Sequence, residues 1–152
     1  MALDVRSSAF EEGGAIPARH TCDGLDSPPL QWSSVPDATR SLALIVDDPD
    51  APRGAFVHWV IYNVPPDTRR LPEDIPNQRT LPSGALQGMN GAGSIGYTGP
   101  CPPNGTHRYF FKVYAIDTEL DLGAGATKED VASAMEGHVL AEGRLLGTYQ
   151  RG

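Results

Sequence analysis

The sequence predicts a mainly β protein, and three observations predict it. It contains 17 glycines and 14 prolines among 152 residues, too many for a helical bundle and suited to short strands with long connections. Three segments, 41–47, 56–64 and 107–117, are rich in apolar, aromatic and β-branched residues and contain neither Gly nor Pro, which is strand composition. Only one segment, Lys128–Met135, joins a helical pattern to a capping signal. The length fits a single domain, 1–152, with a substantial core, and no repeat, low-complexity tract or linker divides it.

Residues 1–20 read as extended chain, with Ser7–Phe10 as an edge strand. Thr21–Leu30 is turn chemistry throughout, and Trp32 after it reads as a core plug. Pro36–Thr39 is a further turn. The run Leu42–Val46 is continuous and apolar, and it is cut short by Pro49, so a strand buried on both faces is expected over Ser41–Asp47. Asp48-Pro-Asp-Ala-Pro-Arg53 ends that strand. Two prolines at a sharp reversal suggest a cis bond at Ala51–Pro52. Alternation over Phe56–Val64 puts Val57, Trp59 and Ile61 on one face and His58, Val60 and Tyr62 on the other.

Residues 65–90 carry little periodicity and many prolines. They read as a long excursion packed on the sheet, including a short strand within Arg79–Leu86; a loop of that length has a functional reason or hidden structure. From Gly96 to Thr106 there are three Gly, three Pro and Asn104, giving a loop of restricted shape with bare backbone. It feeds the core strand His107–Asp117. Thr127 can cap the helix, with Asp130 completing an approximate capping box. Val131, Ala134 and Met135 share one side, Gly137 ends or bends the helix, and His138–Glu142 continues it by a turn or two. Gly143 and Gly147 favour a strand for Arg144–Gln150.

The formal charge of −7 argues against a general nucleic-acid or anionic-membrane surface, which needs a basic patch. No segment has transmembrane length. The N-terminus lacks the basic start and apolar core of a signal peptide, so the expected location is the cytoplasm. Two cysteines, Cys22 and Cys101, are too few for a disulfide scaffold or a thiolate metal cage.

Polar groups cluster at predicted strand ends: Asp48 and Asp50 after the first core strand, His58 early in the second, and His107 with Tyr109 at the start of the third. His107 and Tyr109, two apart, share a face. If the three strands are neighbours, these groups meet at one sheet edge. The set suits an anion: His and Tyr donate hydrogen bonds, and the glycine-rich loop supplies backbone N–H groups. A carboxylate there can orient an imidazole, raise its pKa, or accept from a protonated ligand oxygen. Each part also has a bland account, since an Asp-Pro pair is an ordinary Asx turn and a strand histidine is often structural.

Asp48-Pro-Asp-Ala-Pro52, His58-Trp59 and Gly96-Tyr-Thr-Gly-Pro-Cys-Pro-Pro103 with His107-Arg-Tyr109 resemble the phosphatidylethanolamine-binding protein family. With Ser27-Pro-Pro-Leu-Gln-Trp32 and the compact length, they are similar to its bacterial and archaeal Raf-kinase-inhibitor-like branch. The resemblance runs from about Phe10 to Arg151. It implies a large antiparallel sheet flanked by a smaller sheet, with one or two short peripheral helices near the C-terminus. It also implies a non-enzymatic binding protein, regulatory or inhibitory, without cofactor, metal or catalytic residues. Its pocket would take a small anion, phosphate or a phospholipid head group. The family's pocket positions fall on Asp48, Pro52, His58, Gly99, Pro103, His107 and Tyr109, with Cys101 at the rim where the family commonly has Gly. Phe56 stands where the family often has Trp, keeping an apolar wall without the indole N–H.

Three other functions stay open. Asp48, His58 and His107 offer the ligand types of a metal-dependent enzyme. Cys101 could be a nucleophile with His107 as base. The protein could inhibit a kinase or protease through its surface. Cys22 and Cys101 both lie in turns beside the expected site, and a disulfide between them would tie the pocket loop; two free thiols are the alternative in a reducing cytosol.

Overall fold

The structure, a computed structural model, describes residues 2–22, 24, 26–52, 54–103 and 105–150. Asp23, Leu25, Arg53 and Asn104, which the sequence places in turns and in the glycine-rich loop, lie outside the described residues.

The described residues form two sheets. The larger has six strands and the smaller three. The small sheet is built from β1 (Asp4–Arg6), β3 (Leu30–Ser33) and β6 (Arg70–Leu71), in the order β1-β3-β6. The large sheet contains β2 (Gly14–Ala15), β4 (Ser41–Asp48), β5 (Phe56–Val64), β7 (Leu86–Gln87), β8 (Thr106–Ile116) and β9 (Val139–Gln150), ordered β2-β9-β8-β4-β5-β7. Its pairs are antiparallel except β2 with β9 at one edge. Among the described residues there is one α-helix, α1 (Lys128–Met135), near the C-terminus, and a short 3-10 turn spans Ala18–His20. Among the described residues no helix is long and apolar enough to cross a membrane.

Strand β4 is central, and every one of its residues is buried, as its unbroken apolar run requires. Leu42, Leu44 and Val46 pack with Trp59, Ile61, Phe111 and Val113, and with Val5, Leu30, Trp32 and Leu71 of the small sheet. Ala43 and Ile45 face the other way, toward Val60, Tyr62, Ile116, Leu120 and the helix residues Val131 and Met135. Trp32 is the core plug expected, and its indole N–H donates to the Thr68 carbonyl. Helix α1 begins at Thr127 with both hydrogen bonds of a capping box, Asp130 N–H to the Thr127 hydroxyl and Thr127 N–H to the Asp130 carboxylate.

Four expectations are corrected. The N-terminal edge strand is Asp4–Arg6; Ser7 instead makes a turn, its hydroxyl donating to Pro29 O and accepting from Ala9 N–H. His138–Glu142 does not prolong the helix: after Gly137, at φ 82°, the chain runs as a single strand from Val139 to Gln150, paired along β8. No peptide bond among the described residues is cis, Ala51–Pro52 included.

The fourth correction concerns β5. Between the pairs Val46–Trp59 and Asp47–Val57 the register advances by one residue on β4 and by two on β5. His58 is therefore the extra residue of a β-bulge, which breaks strict alternation. Val57 turns to the helix side with Val60 and Tyr62, and His58 turns to the face that carries Tyr109.

The 65–90 excursion has hidden structure. It contributes β6 to the small sheet and β7 to the large one, and an isolated bridge joins Thr80 to Leu86. Gln87, fully buried, fastens it: its carbonyl oxygen accepts from the Trp59 indole at 2.8 Å, and its amide donates to Pro76 O at 2.7 Å and Gln78 O at 2.8 Å.

Candidate functional site

The site forms where β4 ends and where β5 and β8 begin. Asp48 pairs with Phe56 across β4 and β5, and Asp47 pairs with Phe110 across β4 and β8. Polar groups at the three strand ends are thus brought together by sheet order alone. They surround a cavity of about 200 Å³. All eight residues expected there, Asp48, Pro52, His58, Gly99, Cys101, Pro103, His107 and Tyr109, line it.

Asp48 is buried and uses both carboxylate oxygens. Oδ1 accepts from Asp50 N–H at 2.8 Å, and Oδ2 lies 2.7 Å from His107 Nδ1. The Asx turn and the imidazole-orienting role are therefore both present in one side chain. With Nδ1 held by Asp48, Nε2 is the His107 nitrogen left for a ligand. This arrangement puts Asp48 behind His107 rather than beside it as a third metal ligand, and among the described residues no group of three or more His, Cys, Asp or Glu is placed to hold a metal.

His58 is held in a similar way by backbone. Its Nδ1 donates to the Thr98 carbonyl at 2.6 Å, and its own carbonyl accepts from Thr98 N–H at 2.9 Å. A carbonyl only accepts, so Nδ1 carries the proton and neutral His58 presents a lone pair at Nε2. Burial pushes the His58 pKa below its ordinary 6.5, outweighing the Thr98 hydrogen bond and the Asp48 charge, which raise it. The expected effect of the carboxylate is present at this histidine but loses to desolvation.

Tyr109 lies between the histidines, with ring centroids 5.2 Å from His58 and 6.5 Å from His107. Its hydroxyl is buried and has no hydrogen-bond partner among the described residues. Burial first, and then the negative charge of Asp48, push the phenol pKa well above its ordinary value, so the group stays a donor at neutral pH. Phe56 closes one wall, its ring 4.8 Å from that of His58.

Asp50 does not join this set. It binds Arg108 through the backbone N–H and through the guanidinium Nε and Nη2, each at 2.9 Å, and Arg108 holds its carboxyl down to about 2. It fastens the turn after β4 onto β8.

The glycine-rich loop is tied to the N-terminal segment. Cys22 N–H donates to Pro100 O at 3.0 Å, and the Tyr97 hydroxyl donates to His20 O. The close approach that requires glycine at position 99 is to this neighbouring backbone: a Cβ there would lie 2.4 Å from the Thr21 carbonyl carbon. Cys22 and Cys101 stand at disulfide distance, with Cα atoms 5.4 Å apart, within the range a disulfide spans. In that pairing the Cys101 sulfur is bonded to Cys22, so it is not available as the nucleophile considered from sequence. Thr98 is the site residue sequence reasoning missed, because a backbone carbonyl carries no sequence signal.

The profile of the phosphatidylethanolamine-binding protein family matches residues 6–150. A UPF0098 protein of Methanothermobacter thermautotrophicus is 56% identical over 151 residues, covering 99% of this chain and 100% of that protein. A UPF0098 protein of Pyrococcus horikoshii is 50% identical over 156 residues, covering 99% of this chain and 78% of that one. Among solved structures, a phosphatidylethanolamine-binding protein homologue from Chlamydia trachomatis superposes with a TM-score of 0.91 at 43% identity, covering 99% of each chain. Escherichia coli YbcL superposes with a TM-score of 0.90 at 33% identity, covering all of both chains. With this coverage and identity, the chain belongs to the phosphatidylethanolamine-binding protein family.

Proposed function

We propose that the protein binds a small oxyanion, phosphate or a phosphorylated head group, in the pocket of His58, His107 and Tyr109, and that it holds this ligand without transforming it. The observation that carries this reading is the Tyr109 hydroxyl, a buried donor with no partner among the described residues. Such a group costs about 1–3 kcal/mol if nothing ever meets it. A ligand oxygen would satisfy it.

The two histidines complete the set. His107 offers Nε2, its ring fixed by the contact of Nδ1 with Asp48. His58 offers a lone pair at Nε2, which accepts from a protonated phosphate oxygen. One proton shared between His58 and the ligand then makes binding favourable despite the low pKa of His58. Both oxygens of Asp48 are engaged, by Asp50 N–H and by His107 Nδ1, so the carboxylate turns toward these donors. Pro52, Gly99, Cys101, Pro103 and Phe56 supply the remaining walls.

Calorimetric titration of chelator-treated protein with phosphate and with phosphoethanolamine tests the reading. Saturable binding is expected, with net proton uptake in buffers of different ionisation enthalpy. Absence of binding at millimolar ligand, with binding restored by iron or zinc, would overturn it in favour of a metal site. His58→Ala is expected to lower affinity tenfold or more, since a hydrogen bond to a charged group contributes about 1.5–3 kcal/mol.

A further inference from the structure

A second concavity adjoins the pocket. It encloses about 530 Å³ and shares Ala51, Pro52 and Phe56 with the smaller cavity of about 200 Å³. Phe56 is the partition: its ring packs on His58 at 4.8 Å on one side and lies against Gly91 on the other. Val57 and Met89 add apolar surface to the outer groove. Met89 is 39% exposed, one of two large hydrophobic side chains left exposed among the described residues. An exposed Met alone means little, but this one lines the groove together with half-buried Phe56 and Val57. The ammonium group of Lys128, at the groove's far side, is committed to Asp47 at 3.0 Å.

Size discriminates between ligands. Cavities that enclose a drug-sized molecule measure about 300–1,000 Å³. The inner pocket, at about 200 Å³, falls short of that and suits a bare oxyanion, while the adjoining groove, at about 530 Å³, has room for a substituent. Resting on the anion-binding reading above, we propose that the ligand is a phosphomonoester with an apolar alkyl or aryl substituent. Its phosphate enters between His58 and His107, and its substituent passes over Phe56 into the groove beside Met89. A monoester leaves three free oxygens for His58, His107 and Tyr109, whereas a diester leaves two.

The test is a calorimetric series with ethyl phosphate, hexyl phosphate, hexanol and monomeric dihexanoylphosphatidylethanolamine, on wild type, Met89→Glu and Ala55→Glu. Each buried methylene contributes about fourfold in affinity, so hexyl phosphate is expected to bind at least tenfold more tightly than ethyl phosphate. That ratio should collapse in both variants. Hexanol should bind far more weakly than hexyl phosphate, and the lipid diester more weakly than the monoester. A ratio near one in wild type, with ethyl phosphate bound, overturns the groove and leaves the pocket reading standing. A ratio kept in both variants overturns the groove as the place of the substituent. Hexanol matching hexyl phosphate overturns the two-part ligand, and a tighter lipid diester overturns the monoester. Failure of both alkyl phosphates and of phosphate itself overturns the pocket reading and this inference together.

Discussion

At the scale of single residues, burial governs both His58, whose pKa it lowers, and Tyr109, whose hydroxyl has no hydrogen-bond partner among the described residues. The lowered His58 pKa means that, below pH 6.5, the folded protein holds fewer protons than the unfolded chain. The contribution of His58 to stability is therefore full above 6.5 and is lost as pH falls from there through the folded pKa. Denaturation midpoints of wild type and His58→Ala, measured without anion, are expected to converge between pH 7.5 and pH 5; parallel curves would contradict the assignment. For Tyr109→Phe the expectations for stability and binding have opposite signs. Removing a buried hydroxyl without a partner should leave stability unchanged or raise it by up to about 1–3 kcal/mol, while phosphate affinity falls several-fold. A variant that loses stability and keeps its affinity would make the hydroxyl structural.

At the scale of elements, the pocket depends on pieces that hold one another in place. Gln87 serves the Trp59 indole and two carbonyls of the long excursion. Gln87→Leu would strand the buried Trp59 indole N–H, at about 1–3 kcal/mol, and denaturant unfolding is expected to show a loss of at least that size. The Cys22–Cys101 pair spans 79 positions, for which the chain-entropy account gives about 4–5 kcal/mol when the bridge is closed. Thiol counting under denaturing, non-reducing conditions should find no free thiol in protein purified without reductant. Reduction should lower the melting temperature and weaken anion binding by loosening Cys101. The sequence made β4, the start of β8 and the cap of α1 legible, because unbroken apolar runs and Thr127–Asp130 spacing are local signals. It hid the His58 bulge, since a bulge depends on the partner strand's register, and it hid the start of β9, Val139–Glu142, where pairing with β8 outweighs local helical pattern, while Arg144–Gln150 reads as strand.

At the scale of the whole molecule, the proposed anion would be held at one end of the large sheet of a protein of net charge −7. Selectivity therefore has to come from short-range donors and not from a positive surface. The residues for this were legible in sequence as separate motifs; their convergence came from the order β8-β4-β5, which no single motif states. The roles of the individual ring nitrogens were not legible, because Thr98 O and Asp48 Oδ2 fix them only in the folded chain. Those nitrogens offer the most direct measurement. Nitrogen-detected NMR of the imidazoles of all four histidines, titrated with phosphate in chelator-treated protein, should shift Nε2 of His58 and of His107 together and saturably. Their Nδ1 signals should stay protonated, and His20 and His138 should not move. A titration that leaves His58 and His107 unmoved, or that shifts only His20 or His138, would contradict anion binding at this pocket.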